Sequence, residues 1–473
     1  MSFWIRKVRK NLVEKYALRC GGVTESFVET QRPNCINMTR GPTLICRGQC
    51  QCDGIDCIYM SKKKIASLFS GCGGMDLGFE GDFPIHKSSM SSDELEVIKR
   101  FNKSGFANLP EANFETIFAC DVYEKAQIAW ESFFQPRRDV NGVYHLKSIV
   151  EIVKSIQSGK FKLKEPVDVV TGGFPCNDFS VAGKRMGFKS PKSHLGNQAM
   201  LSGIEDPSIE NRGMLYYWMR EFIAVTNPYV FYAENVRGLV SLGDAKDIIS
   251  KDFASINKSG FFVLPVRVLK AIEYGVPQKR ERVIFIGLNK SKVKPEILAF
   301  MEKHGTLPSE LDLYPDPTHG LSLGDIFGLR GLSTSADAFT GLEEPELSPD
   351  LSQQAFSKAA YLHKMQGSAE VSLTKPGPTI RAEHHGNIEY RRLSLEHGGK
   401  STEELSQGLP ERRLTVRECA RLQTFPDDYR FVIPKKLSQS DGYKLIGNAV
   451  PPLLAYRLAK QLEKAWDEIF LPA

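Results

Sequence analysis

From residue 64 onward the sequence is cut into short apolar runs separated by turn residues and longer helical patterns, and that rhythm admits few folds. The runs at 65–69, 116–120, 167–170, 230–233, 261–268 and 283–287 are rich in Val, Ile and Phe with few polar interruptions. A strand that is apolar on both faces is buried on both faces. The runs therefore predict an α/β fold, a doubly wound parallel sheet covered by helices. At 473 residues the chain exceeds what one core commonly serves, which predicts a smaller second unit. Between 290 and 410 the rhythm dissolves, with Pro308, Pro315, Pro317, Pro345, Pro349, Pro376 and Pro378 interrupting any long element. A helical pattern resumes at 415–423 and again at 452–465.

Composition excludes some classes and leaves others open. No stretch approaches the roughly 20 apolar residues of a membrane span, and the charged first ten residues are followed by no apolar signal core. A cytoplasmic protein with reduced thiols is expected. The net charge of +6 does not by itself name a partner. Residues 1–59 hold nine Lys and Arg against five Asp and Glu, so +4 of that charge lies there, together with Cys20, Cys35, Cys46, Cys50, Cys52 and Cys57. Cys46, Cys50, Cys52 and Cys57 could bind zinc through four thiolates, although the middle spacing is tighter than the usual pairs. The alternative is an unstructured extension, or a segment upstream of the natural start.

Three strand ends carry chemistry. The first run leads into Phe69-Ser70-Gly71-Cys72-Gly73-Gly74-Met75-Asp76-Leu77-Gly78, where glycines let backbone amides approach a ligand at a helix start. A tight strand-to-helix turn would read the same way, and the spacing is not that of dinucleotide folds. Asp121, at the tip of the second run, is placed to accept from ribose hydroxyls. The third run leads into Gly172-Gly173-Phe174-Pro175-Cys176, a cysteine at an exposed rim. A thiol with a pKa near 8.5 is only about 3% thiolate at pH 7, so a nucleophilic role needs positive charge or helix-end amides nearby. A buried, inert cysteine is the other reading. Glu234-Asn235-Val236 and Gln278-Lys279-Arg280-Glu281-Arg282 add an acid and guanidinium groups at further strand ends.

In order and spacing these segments resemble the cytosine-5 DNA methyltransferase family. Phe69 to Gly74 resembles its cofactor loop, Gly173 to Cys176 its nucleophile motif, Glu234 to Val236 its proton-donor motif, and Gln278 to Arg282 its arginine motif. Residues 413–423, with Arg413, Arg417, Glu418, Arg421 and Gln423, resemble the ninth motif, which supports the recognition lobe. Gly447-Asn448-Ala449-Val450-Pro451 resembles the tenth, which completes the cofactor pocket. The resemblance implies a Rossmann-like S-adenosylmethionine-dependent fold with a second, smaller target-recognition lobe. The divisions expected are an extension at 1–59, a catalytic and cofactor-binding domain at 60–289, the recognition lobe at 290–410, and a segment at 411–473 returning to the catalytic domain.

It also implies roles. Cys176 attacks ring carbon 6 of a flipped cytosine, Glu234 serves ring nitrogen 3, Arg282 fixes the base oxygen, and Arg280 and Asn235 support the same wall. Phe69, Ser70, Gly71, Gly73, Gly74, Leu77, Asp121, Pro175, Asn448 and Val450 form the S-adenosylmethionine site. Thr379, Ile380 and Arg381 read double-stranded DNA. The segment 181–196 is the candidate loop closing on DNA, and no base is assigned for the carbon-5 proton. Compactness suggests a monomeric bacterial modification enzyme whose restriction endonuclease is a genetic rather than physical partner. A transfer RNA methyltransferase and a catalytically silent DNA-binding relative are the competing readings; the first lacks its Cys-Phe-Thr tripeptide here, and the second does not explain intact Cys176, Glu234 and Arg282. The chain departs from the family at Asn177, where Gln is usual, at Ser148, where Asp commonly meets the adenine, and in the long stretch 81–115.

Overall fold

The computed structural model describes residues 35–37, 44–46, 57–59, 61–175, 214–320, 329–358, 371–382, 391–393 and 411–472. The chain divides into two compact units, 1–62 and 63–473. In the first, three short strands, Cys35–Asn37, Leu44–Cys46 and Cys57–Tyr59, pair into one small sheet. The proposed thiolate cluster includes Cys50 and Cys52, which lie outside the described residues.

The second unit is built on eight strands: β1 (Lys63–Leu68), β2 (Phe114–Asp121), β3 (Tyr144–Leu146), β4 (Val169–Gly173), β5 (Val230–Val236), β6 (Phe261–Val263), β7 (Arg267–Lys270) and β8 (Glu281–Asn289). Their order is β6-β8-β5-β4-β1-β2-β3, with β7 beside β6 on the same edge of β8. Strands β3, β2, β1, β4 and β5 are parallel. The all-parallel expectation needs correction at one end: β8 runs antiparallel to β5, and β6 and β7 run antiparallel to β8. The single run expected at 261–268 is two strands because Pro265 falls within it, and a proline cannot donate to a ladder.

Why the runs lack alternation is visible in the packing. Ile65, Val169, Tyr232, Ile284 and Ile286 enter one apolar cluster while their neighbours Ala66, Val170, Phe231, Val283 and Phe285 enter another on the opposite face. Period-2 geometry sends alternate side chains to opposite faces, and both are covered. The first face is covered by α1 (Gly74–Glu80), α2 (Glu124–Phe134) and α8 (Pro452–Ile469), and the second by α3 (Ile149–Gln157), α4 (Leu215–Thr226) and α5 (Ala245–Ala254). Helix α6 (Val416–Leu422) starts with a reciprocal capping box between Thr415 and Glu418, and α7 (Gln439–Asn448) with one between Ser438 and Asp441. Each satisfies two orphan amides.

Strand order reverses at β1, with β2 on one side and β4 on the other, so the crevice at the carboxyl ends of β1 and β4 is where such a sheet binds ligands. Within 81–115, Pro84–His86 and Phe106–Asn108 form an antiparallel hairpin. It braces the strand pair at 319–331: His319 Nε2 lies 2.8 Å from the Ser88 carbonyl, and Arg330 donates to the Met90 carbonyl at 2.5 Å. Glu94 pairs with Arg457 of α8. The start of the expected second lobe also lies against the sheet unit. Lys294 donates to the Ile469 carbonyl, and the Tyr314 hydroxyl to that of Ile284 at 2.8 Å.

Helices α1 and α8 touch backbone to backbone at Gly78, where an added Cβ would collide with the Pro452 carbonyl, the Ala455 methyl and the Tyr456 amide. Backbone atoms cannot swing aside, so Gly78→Ala should cost about 1–3 kcal/mol, the usual price of overpacking. A lower urea midpoint with an unchanged slope is the expected result.

Candidate active site

The loop after β1 is held in shape by its neighbours. Phe69 and Gly71 take left-handed φ values of 52° and 53°, and Gly73 takes 78°; a non-glycine residue such as Phe69 reaches that region only when its surroundings hold it there. Ser70 donates to the Ser67 carbonyl at 2.9 Å and accepts from the Cys120 amide at 3.2 Å. The Tyr144 hydroxyl donates to the Gly71 carbonyl at 3.0 Å, and the Tyr429 hydroxyl to that of Cys72. An added Cβ at Gly73 would stand 2.5 Å from the Trp130 ring, and one at Gly74 would strike the Val450 carbonyl. The turn at 448–450 is thus the lid of this loop: Val450 is buried and Asn448 exposed. Leu77 is buried in the core cluster rather than on the loop surface.

Beneath the loop, Asp76 is buried and accepts from Ser67 Oγ at 2.5 Å and Trp130 Nε1 at 2.7 Å. Burial pushes its carboxyl up to about 6, against the pull of those two donors. Asp121, at the tip of β2, accepts from the Gly71 amide at 3.0 Å and the Tyr123 amide at 2.9 Å, and burial raises its pKa as well. An ionised carboxylate offers about four acceptor sites, so these backbone donors leave acceptor capacity unused, which fits a ribose hydroxyl. Ser148 spends its hydroxyl capping α3, accepting from the Val150 amide.

The catalytic candidates gather at the ends of β4, β5 and β8. Parallel pairing sets Glu234 opposite Gly173, and the Glu234 Oε2 atom would lie 2.9 Å from a Cβ at that glycine. Arg282, two residues from the partner of Glu234 on antiparallel β8, brings its Nε to 2.6 Å from Glu234 Oε1. Both side chains are about nine-tenths buried. Asn235 donates to the Phe174 carbonyl at 3.0 Å and accepts from the Val236 amide, so it ties the tip of β5 to the segment before Pro175. Pro175 ends the described stretch; Cys176, Asn177 and the 181–196 loop lie outside it. Cys72, Cys120 and Cys419 carry free thiols, and all three are buried. Burial pushes all three well up, so at neutral pH they remain unreactive thiols.

Arg280 lines the same cavity as Arg282, but its guanidinium turns inward. It is 1% exposed and donates to the carbonyls of Ile380, Gly447 and Ala449 at 2.8, 2.9 and 2.7 Å. Outside the buried pair a cavity of about 620 Å³ is lined by Arg237, Lys270, Lys279, Arg280, Arg282 and Thr379, with the acid Glu281 among them, a predominantly cationic mouth. Thr379 bonds to the Lys279 carbonyl, Ile380 is fully buried, and Arg381 is half-buried. The buried glutamines Gln278 and Gln423, unassigned from sequence, join this segment to the 449 turn. Their only sequence signal is position inside the two motifs.

The C-5 cytosine-specific DNA methylase family matches residues 63–464. The chain belongs to this family. It is 30% identical over 414 residues to the Type II methyltransferase M.BsuRI of Bacillus subtilis, covering 85% of this chain and 79% of the relative. M.Eco47II of Escherichia coli is 32% identical over 314 residues, covering 65% and 66%. Among solved structures, a DNMT2 of Spodoptera frugiperda superposes with a TM-score of 0.51 at 16% identity, over 85% of this chain and 99% of that one. An Entamoeba histolytica methyltransferase, EhMeth, superposes at 0.52 and 14%, over 86% and 99%. These structural likenesses show the shared methyltransferase fold. The chain is accordingly a DNA (cytosine-5)-methyltransferase of the kind found in Type II systems. No helix among the described residues is long and apolar enough to cross a membrane.

Gly173→Ala tests the strand-end geometry. The atom its methyl meets is the movable end of Glu234, so stability should change little while the carboxyl is displaced. A misplacement near 1 Å at a reacting group costs on the order of 10²-fold, and steady-state methylation should fall by about that factor with the unfolding midpoint nearly unchanged.

Proposed function

We propose that this methyltransferase modifies one cytosine within a specific double-stranded DNA site, using S-adenosylmethionine as donor and Cys176 as nucleophile. The observation that carries the reading is the Glu234–Arg282 pair standing beside Gly173, three residues before Cys176 and adjacent to the loop at 69–74. Extruding cytosine from the stack costs a few kcal/mol, and a water-poor pocket with placed polar groups receives it.

In that pocket Arg282 holds the base oxygen and stabilises charge developing on the ring. The Cys176 sulfur bonds to carbon 6 as Glu234 supplies a hydrogen bond or proton to nitrogen 3, and the electron pair moves to carbon 5. Bound on the 69–74 loop, S-adenosylmethionine supplies an electrophilic methyl group for that carbon. Loss of the carbon-5 proton to a base then expels the Cys176 thiolate and restores the ring. Asp121 takes the ribose, Asn448 and Val450 close the donor's pocket, and Asn235 and Arg280 hold the strand ends in place. Thr379 lies on the cationic rim with Arg381 two residues along the chain, where guanidinium groups read guanine or meet phosphate, and buried Ile380 anchors the segment between them. Similarity to Type II enzymes supports a role as the modification half of a restriction–modification system.

Bisulfite sequencing of DNA from cells expressing the protein should show protected cytosines at one recurring site, and Cys176→Ser should abolish the protection. Scattered protection, or protection that survives in the mutant, sinks the assignment. Glu234→Gln can still hydrogen-bond but has no acidic proton, so purified enzyme should lose about 10²–10⁴-fold in turnover. A near-normal rate would show that nitrogen 3 needs no proton from this side chain.

A further inference from the structure

We infer that Gln278 and Gln423, with Arg280 between them, form a buried junction that couples recognition of the DNA site to binding of the methyl donor. The inference rests on the proposed assignment of 379–381 to DNA and of the 69–74 loop to the donor. Ile380 is gripped at both backbone ends: its amide donates to Gln278 Oε1 at 3.0 Å, and its carbonyl accepts from Arg280 at 2.8 Å. Gln278 Nε2 donates in turn to Gln423 Oε1 at 2.5 Å and to the Leu422 carbonyl at 3.2 Å. Gln423 Nε2 donates to the Ala449 carbonyl at 2.5 Å, and the same carbonyl accepts from Arg280 at 2.7 Å. Both glutamines are fully buried.

The junction ends where the donor's loop begins. The Val450 carbonyl lies so close to Gly74 that no side chain fits there. Gly447 is packed just as closely against the Arg381 carbonyl and the Ala382 amide. The 447–450 turn is therefore in backbone contact with the recognition segment on one side and the cofactor loop on the other. Ile380 is itself buried, so DNA docking on the neighbouring exposed groups of 379–381 would move it through the backbone; that movement must shift Gln278, Gln423 or the turn, or break buried hydrogen bonds. Such a network favours one joint arrangement over mixtures, and two ligands that each favour it bind cooperatively. Gln278 and Gln423 are positioning residues, since neither lines the cavity.

The test is a binding cycle. The affinity for a short duplex carrying the bisulfite-mapped site is measured by fluorescence anisotropy with and without saturating S-adenosylhomocysteine, a donor analogue that cannot react. Wild-type protein should bind the duplex about 5–150-fold more tightly with the analogue present, and the duplex should tighten analogue binding by the same factor. Gln423→Glu at pH 8 keeps the shape and the acceptor for Gln278 but turns a lone pair toward the Ala449 carbonyl. Gln278→Glu keeps the acceptor for Ile380 but loses both donations. In each the factor should fall to within about twofold of unity.

Gln353→Glu is the control for general loosening. Gln353 is equally buried, accepting from Thr415 and donating to the Glu343 carbonyl away from the junction, and this variant should keep the wild-type factor. Absence of coupling in the wild type, an unchanged factor in the folded junction variants, or an equal loss in the control each overturns the inference. If the wild type fails to protect any site from bisulfite conversion, the functional reading itself has failed; protection without the coupling refutes the junction alone.

Discussion

The contact between Arg282 and Glu234 exists because one strand of the sheet runs backwards. On parallel strands the two groups would have to come from the carboxyl ends of neighbours, where a long side chain near the start of a strand does not sit. Antiparallel β8 begins at the same edge where β5 finishes, so Arg282 at the head of one strand meets Glu234 near the tail of the other. The register does the rest: Arg282 faces Val236, and Glu234 lies two residues along on the same face, within diagonal reach of a long side chain. Parallel β4 then contributes Gly173, which has no side chain to obstruct the carboxyl. A single reversed strand thereby gathers an acid, a cation and the approach to Cys176 at one edge.

The strands of this sheet were legible because burial on both faces leaves little else in the sequence. Runs at 65–69, 116–120, 167–170, 230–233 and 283–287 fall on β1, β2, β4, β5 and β8, each shorter than the real strand, since polar tips such as Asp121 and Glu281 carry no hydrophobic signal. Strand β3 has only three residues, one of them exposed, and periodicity cannot register so short an edge. Direction is equally silent. The pattern of a buried antiparallel strand is that of a buried parallel one, so the reversal of β8 needed the hydrogen-bond register. At the C-terminus, the helical pattern read at 415–423 falls on α6, whereas α8 continues to Ile469 because Trp466 and Ile469 extend its buried face beyond the pattern read at 452–465.

At the site, residues whose chemistry is local to a strand end were readable and residues acting across the fold were not. Asp121 and Glu234 stand out as acids following apolar runs. Gln278 and Gln423 look like ordinary surface amides, and only the folded chain shows each satisfied on several sides in a dry environment. Arg280 and Arg282 differ by a single intervening residue, yet one reaches the carboxyl of Glu234 and the other turns into the interior. Alternation would send positions two apart to the same face, but it holds only within the strand, and Arg280 precedes its first residue.

The burial of Arg280 shows what such a group contributes. Removing a guanidinium from water costs several kcal/mol, and an apolar side chain of similar volume is often the more stabilising choice. What an apolar residue lacks is direction. The guanidinium presents donors in a fixed planar fork, and here the fork spans the carbonyls of Ile380, Gly447 and Ala449, 100 to 169 residues away in sequence. Each charge-assisted bond is worth about 1.5–3 kcal/mol, enough to offset the desolvation only while all three carbonyls hold their places. The 379–381 segment and the 447–450 turn are therefore fixed by a group whose burial is tolerable in one arrangement of both. That arrangement holds β8 in the position from which Arg282 reaches Glu234.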